Sequence, residues 1–158
     1  MERNRENSMG NHTEKNTKEE GTFADVWANR GPDAPRMEDF REKIGLEILE
    51  RRPGYAKGQI VLQPWHLNVL GIVHGGVLFT IADTVSGTAA VTGHDYAVPT
   101  VNGTINYLKA GRKTSKIIAE AREIKNGNTF SVVECQVFDD RENLLATTSM
   151  TFYHLKQR

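Results

Sequence analysis

The chain has 158 residues, 38% of them hydrophobic and 25% charged, which is enough for one domain with one hydrophobic core. Twenty basic and twenty acidic residues leave no net charge, which excludes a global field that would attract nucleic acid or an anionic membrane. The N-terminal part has no apolar stretch, and no run approaches the roughly 18 apolar residues of a membrane span. We therefore expect a soluble, cytoplasmic protein without a secretory signal.

Cysteine usage fits a reducing compartment. Cys135 is the only cysteine, so no intramolecular disulfide can form. The residues on both sides of Cys135 alternate between apolar and polar, as in a strand with one buried face. We therefore interpret Cys135 as a buried strand thiol rather than a reactive one.

The N-terminal part of the chain differs in composition from the rest. Residues 1–36 are predicted to form a mobile polar tail and a transition segment, because the tail cannot bury enough apolar area to offset the entropy lost on ordering. A single domain is predicted over residues 37–158, and Met37–Lys43 has the composition of a short helix at its start.

Short apolar stretches separated by turn residues follow this helix. Ile44–Glu50 and Gly58–Gln63 predict the two strands of a hairpin, with the turn at Arg52–Gly54. The segment from Gly75 to Ala90 is apolar on nearly every side and contains no proline. This pattern predicts a long helix that is buried on most of its sides.

Four strands are predicted after the long helix, and an Asn-Gly-Asn sequence at 126–128 is a hairpin signal between the second and the third. The first of them alternates strictly, which places Gly103 and Ile105 on one face and Thr100 and Asn102 on a solvated face. The predicted strands are Thr100–Leu108, Lys116–Lys125, Thr129–Asp139 and Leu144–Leu155. The order of elements predicts the α+β class, with a single antiparallel sheet wrapped around one central helix.

Asp83 lies near the middle of the predicted long helix, between apolar neighbours. An ionised carboxylate in such surroundings loses hydration, which costs several kcal/mol unless the group is paired. Two interpretations stay open. Asp83 is either a structural acceptor for the hydroxyls of Thr80, Thr84 and Ser86, or it carries chemistry.

His74, Gly75 and Gly76 open the same helix. Glycines at a helix start leave backbone N–H groups unshielded at the positive end of the helix dipole, which suits an oxyanion. The alternative is that the two glycines form a tight turn where the chain passes close to a neighbouring backbone.

The segment from Asn68 to Asp83 resembles the hot-dog-fold thioesterases of the phenylacetate-degradation type. In that family an Asn stands six residues before the His of a His-Gly-Gly motif, and a carboxylate stands nine residues after it. Asn68, His74 and Asp83 meet both intervals, and the resemblance covers about residues 40–155. It implies a hot-dog fold and the hydrolysis of an acyl-CoA, with a medium-chain or aromatic acyl group, to free acid and CoA.

The resemblance also implies roles for individual residues. The Gly75 N–H would polarise the thioester carbonyl, and Asn68 and His74 would help to fix that carbonyl or the attacking water. Asp83 would act as a general base on water, which we favour, or attack directly to give a mixed anhydride. Thr100 would assist Asp83 from its strand, and Thr100 and Asn68 are the candidate hydrogen-bond partners of the carboxylate.

Assembly and ligand contacts follow from the same resemblance. In similar enzymes the base comes from one subunit and the Asn and His-Gly-Gly motif from its partner, which implies a homodimer with shared active sites and pairing into a homotetramer. No cofactor is expected, since coenzyme A is part of the substrate. Lys109, Arg112 and Lys113 form a local basic cluster for the CoA phosphates, with Gly76 as a further contact, unless these charges are ordinary solvated loop residues.

Other chemistries have weaker support in the sequence. No metal site is expected, because His66, His94 and His154 lack the spacing of metal ligands. Ser86 and Ser149 lack the Gly-x-Ser-x-Gly context of a serine nucleophile. Three alternative functions stay open: a hot-dog hydratase or dehydratase, a non-catalytic acyl-CoA sensor, and a structural oligomer in which the helix carboxylate is a satisfied core group.

Overall fold

The computed structural model describes residues 40–92, 94 and 97–155. The predicted tail and transition segment at 1–36 lie outside these residues, as do positions 37–39 of the predicted first helix. The domain boundary at residue 37 therefore stays a prediction.

The described part of the chain forms two α-helices, one short 3₁₀ helix and six strands. No helix in it is long and apolar enough to cross a membrane. In chain order the elements are α1 (Phe40–Lys43), β1 (Leu46–Arg52), β2 (Tyr55–Val61), the 3₁₀ helix (Pro64–His66), α2 (Gly75–Val91), β3 (Thr100–Tyr107), β4 (Lys116–Asn126), β5 (Phe130–Asp139) and β6 (Leu144–Tyr153).

The six strands pair in one antiparallel sheet in the order β1-β2-β4-β5-β6-β3. Helix α2 contacts all six strands, so the sheet curves around it. Strands β1 and β3 form the two edges. The predicted α+β class and the hot-dog arrangement are confirmed.

Turn residues fix the two predicted hairpins. Gly54 closes the β1–β2 turn with a φ of 71°, a left-handed conformation that glycine adopts without strain. In the β4–β5 turn, a Cβ on Gly127 would lie 2.7 Å from the carbonyl oxygen of Phe130, so no side chain fits there. Both hairpins are confirmed, although β2 begins at Tyr55, earlier than the sequence pattern predicts.

The hydrophobic core lies between α2 and the inner face of the sheet. Its largest side chains include Phe152, Ile60, Ile81, Ile117, Leu145 and Met150. Helix and sheet approach so closely that a Cβ on Gly58 would lie 2.8 Å from Cγ2 of Val85. Cys135 faces this core with 1% exposure, and burial raises the pKa of its thiol to about 12. The prediction of a buried strand thiol is confirmed.

One stripe of α2 is only partly covered. Thr80, Asp83 and Gly87 recur at spacings of three and four residues, so they share one helix face, and all three are half-buried. The prediction that α2 is buried on most of its sides is confirmed, and this stripe is a less buried side. The stripe carries the carboxylate and leaves it open to approach.

Candidate active site

Asp83 lies on the open stripe of α2 and meets the first residue of β3. Its Oδ1 accepts a hydrogen bond of 2.8 Å from Oγ1 of Thr100. Within the described ranges, none of the three hydroxyls on its own helix donates to it, and the Oγ of Ser86 is buried without a hydrogen-bond partner. The carboxylate is thus held by a neighbouring strand, and its second oxygen, Oδ2, stays available.

A bulge in β3 brings Thr100 to the helix. Thr100 and Asn102 pair with consecutive residues of β6, so Val101 is extra and the register shifts between them. A bulge reverses the alternation of side chains along a strand. Thr100 is exposed, as predicted, but the prediction that it shares a face with Asn102 is wrong, and its predicted contact with Asp83 is present.

The start of α2 presents a single unused donor. His74 is the N-cap, and its Nδ1 accepts the N–H of Gly76 at 2.9 Å. In the neutral ring this leaves the proton on Nε2, which points a donor away from the cap. The N–H of Gly75 has no acceptor among the described residues. Gly75 therefore offers a free N–H at the positive end of the helix dipole.

Nearby side chains leave little room for a Cβ at either glycine. A Cβ on Gly75 would lie 3.2 Å from the Tyr107 hydroxyl, and one on Gly76 would lie 3.1 Å from Nδ1 of His74. The alternative interpretation, close passage of a neighbouring backbone, is wrong in that detail. Tyr107 also donates its hydroxyl to the Gly75 carbonyl oxygen at 3.1 Å. Tyr107 has no predicted role, although its place at the end of the inner face of β3 is a usable signal.

Asn68 organises the loop that leads into α2. Its Oδ1 accepts the N–H groups of Leu70 at 2.9 Å and Ile72 at 3.3 Å, and Gly71 completes the loop with a φ of 67°. The amide nitrogen of Asn68 makes no hydrogen bond within the described part of the chain. Asn68 does not contact Asp83 in the same protomer, so of the two candidate partners of the carboxylate the structure supplies Thr100.

The predicted site residues form two separate halves in one protomer. Asn68, Gly75 and Tyr107 line a cavity of about 390 Å³ together with Lys109, whereas Asp83 and Thr100 lie further along α2. Gly75 and Asp83 are eight residues apart on one helix, which corresponds to about 12 Å along its axis. A single thioester carbonyl cannot reach both.

The basic cluster lies on the loop after β3. The Nζ of Lys109 donates to Oδ1 of Asn143 at 2.5 Å, and Arg141 braces the loop by donating to the carbonyl oxygen of Arg112 at 2.8 Å. The side chains of Arg112 and Lys113 are exposed, and neither has an ion pair among the described residues. Two of the three predicted cations are therefore free to meet an anion.

Two of the three histidines without a predicted role are buried and hydrogen-bonded. His66 is buried beneath the helix start, where its Nδ1 accepts the N–H of Gln63 at 3.0 Å. His154 is buried and shares a hydrogen bond of 2.7 Å with Ser131. Over residues 40–92, 94 and 97–155, no three His, Cys, Asp or Glu side chains are grouped as metal ligands.

Comparison with known proteins identifies the family. Residues 70–146 match the thioesterase superfamily. The chain is 31% identical over 116 residues to a protein of Archaeoglobus fulgidus named "Putative esterase", an alignment that covers 73% of this chain and 75% of that one. It is 28% identical over 121 residues to the 1,4-dihydroxy-2-naphthoyl-CoA hydrolase of Listeria monocytogenes, with 75% and 98% covered.

A solved structure agrees with the fold. The phenylacetic acid degradation protein PaaI from Thermus thermophilus superposes with a TM-score of 0.69 at 24% identity, covering 75% of this chain and all of that one. The chain belongs to the thioesterase superfamily, and its fold is the hot-dog fold of the phenylacetate-degradation type.

Proposed function

We propose that the protein hydrolyses an acyl-CoA thioester with a medium-chain or aromatic acyl group to the free acid and CoA. The observation that carries the proposal is the pairing of Asp83 with Thr100 on a helix whose start offers an unused Gly75 N–H. The aromatic acyl-CoA in the name of the Listeria relative supports this substrate class. A cytoplasmic enzyme is part of the proposal, since its substrate contains CoA.

The reaction uses Asp83 as a general base. Thr100 occupies Oδ1 of the carboxylate, so Oδ2 takes a proton from water while the water oxygen attacks the thioester carbon. The carbonyl oxygen becomes an oxyanion that accepts the Gly75 N–H. The C–S bond then breaks, and the CoA thiolate takes up the proton from Asp83. Direct attack by Asp83 to give a mixed anhydride is the alternative route.

The donors around the carbonyl complete this chemistry. The Nε2–H of His74 and the amide nitrogen of Asn68 are the donors that would fix the carbonyl or the water. A positioned base supplies about 10² to 10⁴ in rate and an oxyanion donor about 10² to 10³, together roughly 5 to 10 kcal/mol of barrier. An activated thioester requires no larger contribution.

Two copies of the chain form each site in this proposal. Thr100 and Asp83 lie at one end of β3, and Tyr107 and Gly75 lie at its other end. Antiparallel pairing of β3 with the same strand of a second copy would bring Asp83 of one protomer to the partner's Gly75. A two-fold axis then generates two equivalent sites per homodimer, and pairs of dimers would form the homotetramer.

Exposed apolar groups on this edge support a second copy as the occupant. Val101 and Tyr107 on β3 are each 55% exposed, and Val69, beside Asn68 on the loop, is fully exposed. An unpaired edge strand with apolar side chains is a site for pairing with another strand. Dimerisation through β3 would cover these residues and carry the Asn68 loop to the partner.

In this proposal the phosphates of the CoA moiety bind the basic cluster. The cavity that holds Gly75 and Asn68 ends at Lys109, and the free side chains of Arg112 and Lys113 follow on the same loop. Cations of this kind bind phosphate oxygens by charge-assisted hydrogen bonds. In this orientation the Gly76 backbone borders the thioester, and the phosphates lie beyond Lys109.

Thiol release from a panel of acetyl-, octanoyl-, palmitoyl- and phenylacetyl-CoA tests the proposal. We expect turnover of the medium-chain or aromatic substrate, with a loss of at least about 10² in kcat for Asp83→Asn. Glu134→Gln, which changes an exposed carboxylate on β5 in the same way, serves as the matched control. No release from any thioester by the folded wild type would contradict catalysis and favour an acyl-CoA-binding module, which a direct affinity measurement with CoA would then test.

A further inference from the structure

The turn between β5 and β6, residues 139–143, binds the loop that carries the basic cluster, residues 108–115. Two side chains of the turn contact the start and the middle of the loop, where the cations lie. Asp140 contacts its end, because its Oδ2 accepts both the N–H and the hydroxyl of Ser115 at 2.7 Å. The N–H of Asp140 also donates to Oγ1 of Thr114 at 3.3 Å. The turn therefore holds the loop along its whole length.

Two backbone features indicate that this loop has a fixed conformation. Gly111 passes over the core, where a Cβ would lie 2.8 Å from Cγ2 of Val73, and its carbonyl oxygen accepts the N–H of Val73 at 3.1 Å. Lys113 has a φ of 50°, a left-handed conformation that a non-glycine residue keeps only where its surroundings impose it. The turn binds both neighbours of Lys113, Arg112 through its carbonyl oxygen and Thr114 through its hydroxyl. The turn thus fixes the backbone that carries the cations.

Asp139 organises the turn. Its side chain is 2% exposed, and its carboxylate accepts the backbone N–H groups of Arg141 at 3.0 Å and of Asn143 at 2.8 Å. The side-chain amide of Asn143 donates to it at 2.9 Å, and the guanidinium of Arg141 donates to it at 3.4 Å. Burial raises the pKa of Asp139, but these hydrogen bonds lower it by more, so the group stays ionised. One buried carboxylate therefore orients both side chains that reach the start and the middle of the loop.

The amide of Asn143 transmits orientation from Asp139 to Lys109 without cancelling the charge of the lysine. A carboxylate only accepts hydrogen bonds and an ammonium only donates them, so Nδ2 of the amide must face Asp139 and Oδ1 must face Lys109. The neutral Oδ1 engages one of the three N–H groups of the ammonium, and no other described residue takes the remaining two. A carboxylate in place of this amide would neutralise the cation. The arrangement therefore gives a fixed ammonium that still carries its charge.

We infer that Asp139 is a positioning residue for coenzyme A: through the two side chains that it orients, it holds Lys109 and the Arg112 backbone in place for the CoA phosphates. The inference rests on the proposed hydrolysis of an acyl-CoA and adds a residue outside the site described for that reaction. Phosphates that meet cations already in position bind at a smaller loss of side-chain entropy. Asp139 does not line the cavity with Gly75, so it acts on the binding of CoA and leaves the chemical step unchanged.

Calorimetric titration of the full chain with free CoA is the direct test. Asp139→Asn is expected to weaken CoA binding by about tenfold, because the lysine and its loop must then be ordered on binding, and Asn143→Ala by about threefold. Glu142→Gln removes the same charge from an exposed side chain of the same turn, and this matched control should keep the wild-type affinity. Equal affinities of wild type and folded variants, an equal loss in Glu142→Gln, or no CoA binding by the wild type would overturn the inference. If Asp139→Asn does not fold, Asn143→Ala decides, since it leaves the buried carboxylate in place.

Two thioesters of one acyl group separate positioning from a structural role. Octanoyl-CoA carries the phosphates, and the octanoyl thioester of N-acetylcysteamine lacks them. In Asp139→Asn, KM for octanoyl-CoA should rise by about tenfold at an unchanged kcat, while kcat/KM for the short thioester stays at the wild-type value. Equal losses with both thioesters would make the turn structural only and overturn the inference. CoA binding that depends on Asp139, without hydrolysis of any thioester, would retain the inference and reject the reaction. Hydrolysis with CoA affinity and KM unchanged in the folded variants would retain the reaction and reject the inference.

Discussion

Replacing Gly75 by Pro or by Ala isolates the backbone donor at the start of α2. Proline removes the N–H, and alanine keeps it while adding a Cβ at the same place, 3.2 Å from the Tyr107 hydroxyl. Gly75 is the first residue of the helix, where proline is well tolerated. His74 already has the extended conformation, with φ −64° and ψ 135°, that a residue before proline requires.

The magnitude follows from what each substitution removes. The Gly75 N–H makes no hydrogen bond to any residue that the structure describes, so proline breaks no described hydrogen bond of the fold. Loss of one oxyanion donor costs about 10² to 10³ in kcat, or roughly 2.7 to 4 kcal/mol. The added Cβ meets Tyr107 in both variants, so their difference reports the loss of the N–H together with the ring atoms that replace it in proline.

Steady-state thiol release and thermal unfolding measure the two variants together. We expect similar melting temperatures for Gly75→Pro and Gly75→Ala, and a kcat for the proline variant lower by at least about 10². A proline variant with a kcat close to that of the alanine variant would refute the role of the Gly75 N–H. The oxyanion would then have to be held by other donors.

Three further substitutions test the supporting structure. Thr100→Val removes the hydrogen bond to Asp83 and should lower kcat by about tenfold or more without unfolding the protein, as measured by thiol release and circular dichroism; an unchanged kcat would reject the positioning role. Burial lowers the pKa of His66 below its ordinary 6.5, so the unfolded chain binds a proton there that the folded chain does not. Stability should therefore fall as the pH drops below about 6.5, by up to about 1.4 kcal/mol per pH unit until the lowered pKa is passed. Urea unfolding of His66→Asn, whose Oδ1 can replace Nδ1, should show a smaller loss over this range, and an unchanged pH dependence would assign it to other groups. Gly58→Ala should destabilise the fold by about 1 to 3 kcal/mol, because its Cβ would lie 2.8 Å from Val85; a denaturation midpoint equal to that of the wild type would contradict this packing.

Local signals in the sequence predicted the fold well. Pro53-Gly54 and the Asn-Gly-Asn turn mark hairpins because Gly54 has a left-handed φ and a Cβ on Gly127 would meet the Phe130 carbonyl oxygen. The apolar run from Gly75 predicts a central helix because only a curved sheet can cover so many of its sides. The spacing predicted that Asn68 and His74 precede the helix and that Asp83 lies within it, although their catalytic roles stay predictions.

Long-range geometry was not readable from the same patterns. A bulge after Thr100 reverses the strand alternation, and one extra residue leaves no trace in hydrophobicity. Phe40, Trp65 and Val77, which are far apart in sequence, line one groove beside the start of α2, and only the folded chain brings them together. Likewise, the hydrogen bond from the Gly76 N–H to Nδ1 of His74 depends on the side-chain rotamer of His74, which the sequence does not specify.

Mixing two inactive variants tests the shared active site most directly. Gly75→Pro and Asp83→Asn each damage a different half of the site, and a mixed dimer contains one intact pair of halves. Co-expressed with different tags and purified as the random mixture, the two chains should recover about one quarter of wild-type activity, because half the dimers are mixed and each has one working site of two. Activity no higher than that of the separate variants would contradict a site formed by Asp83 of one protomer and the partner's Gly75.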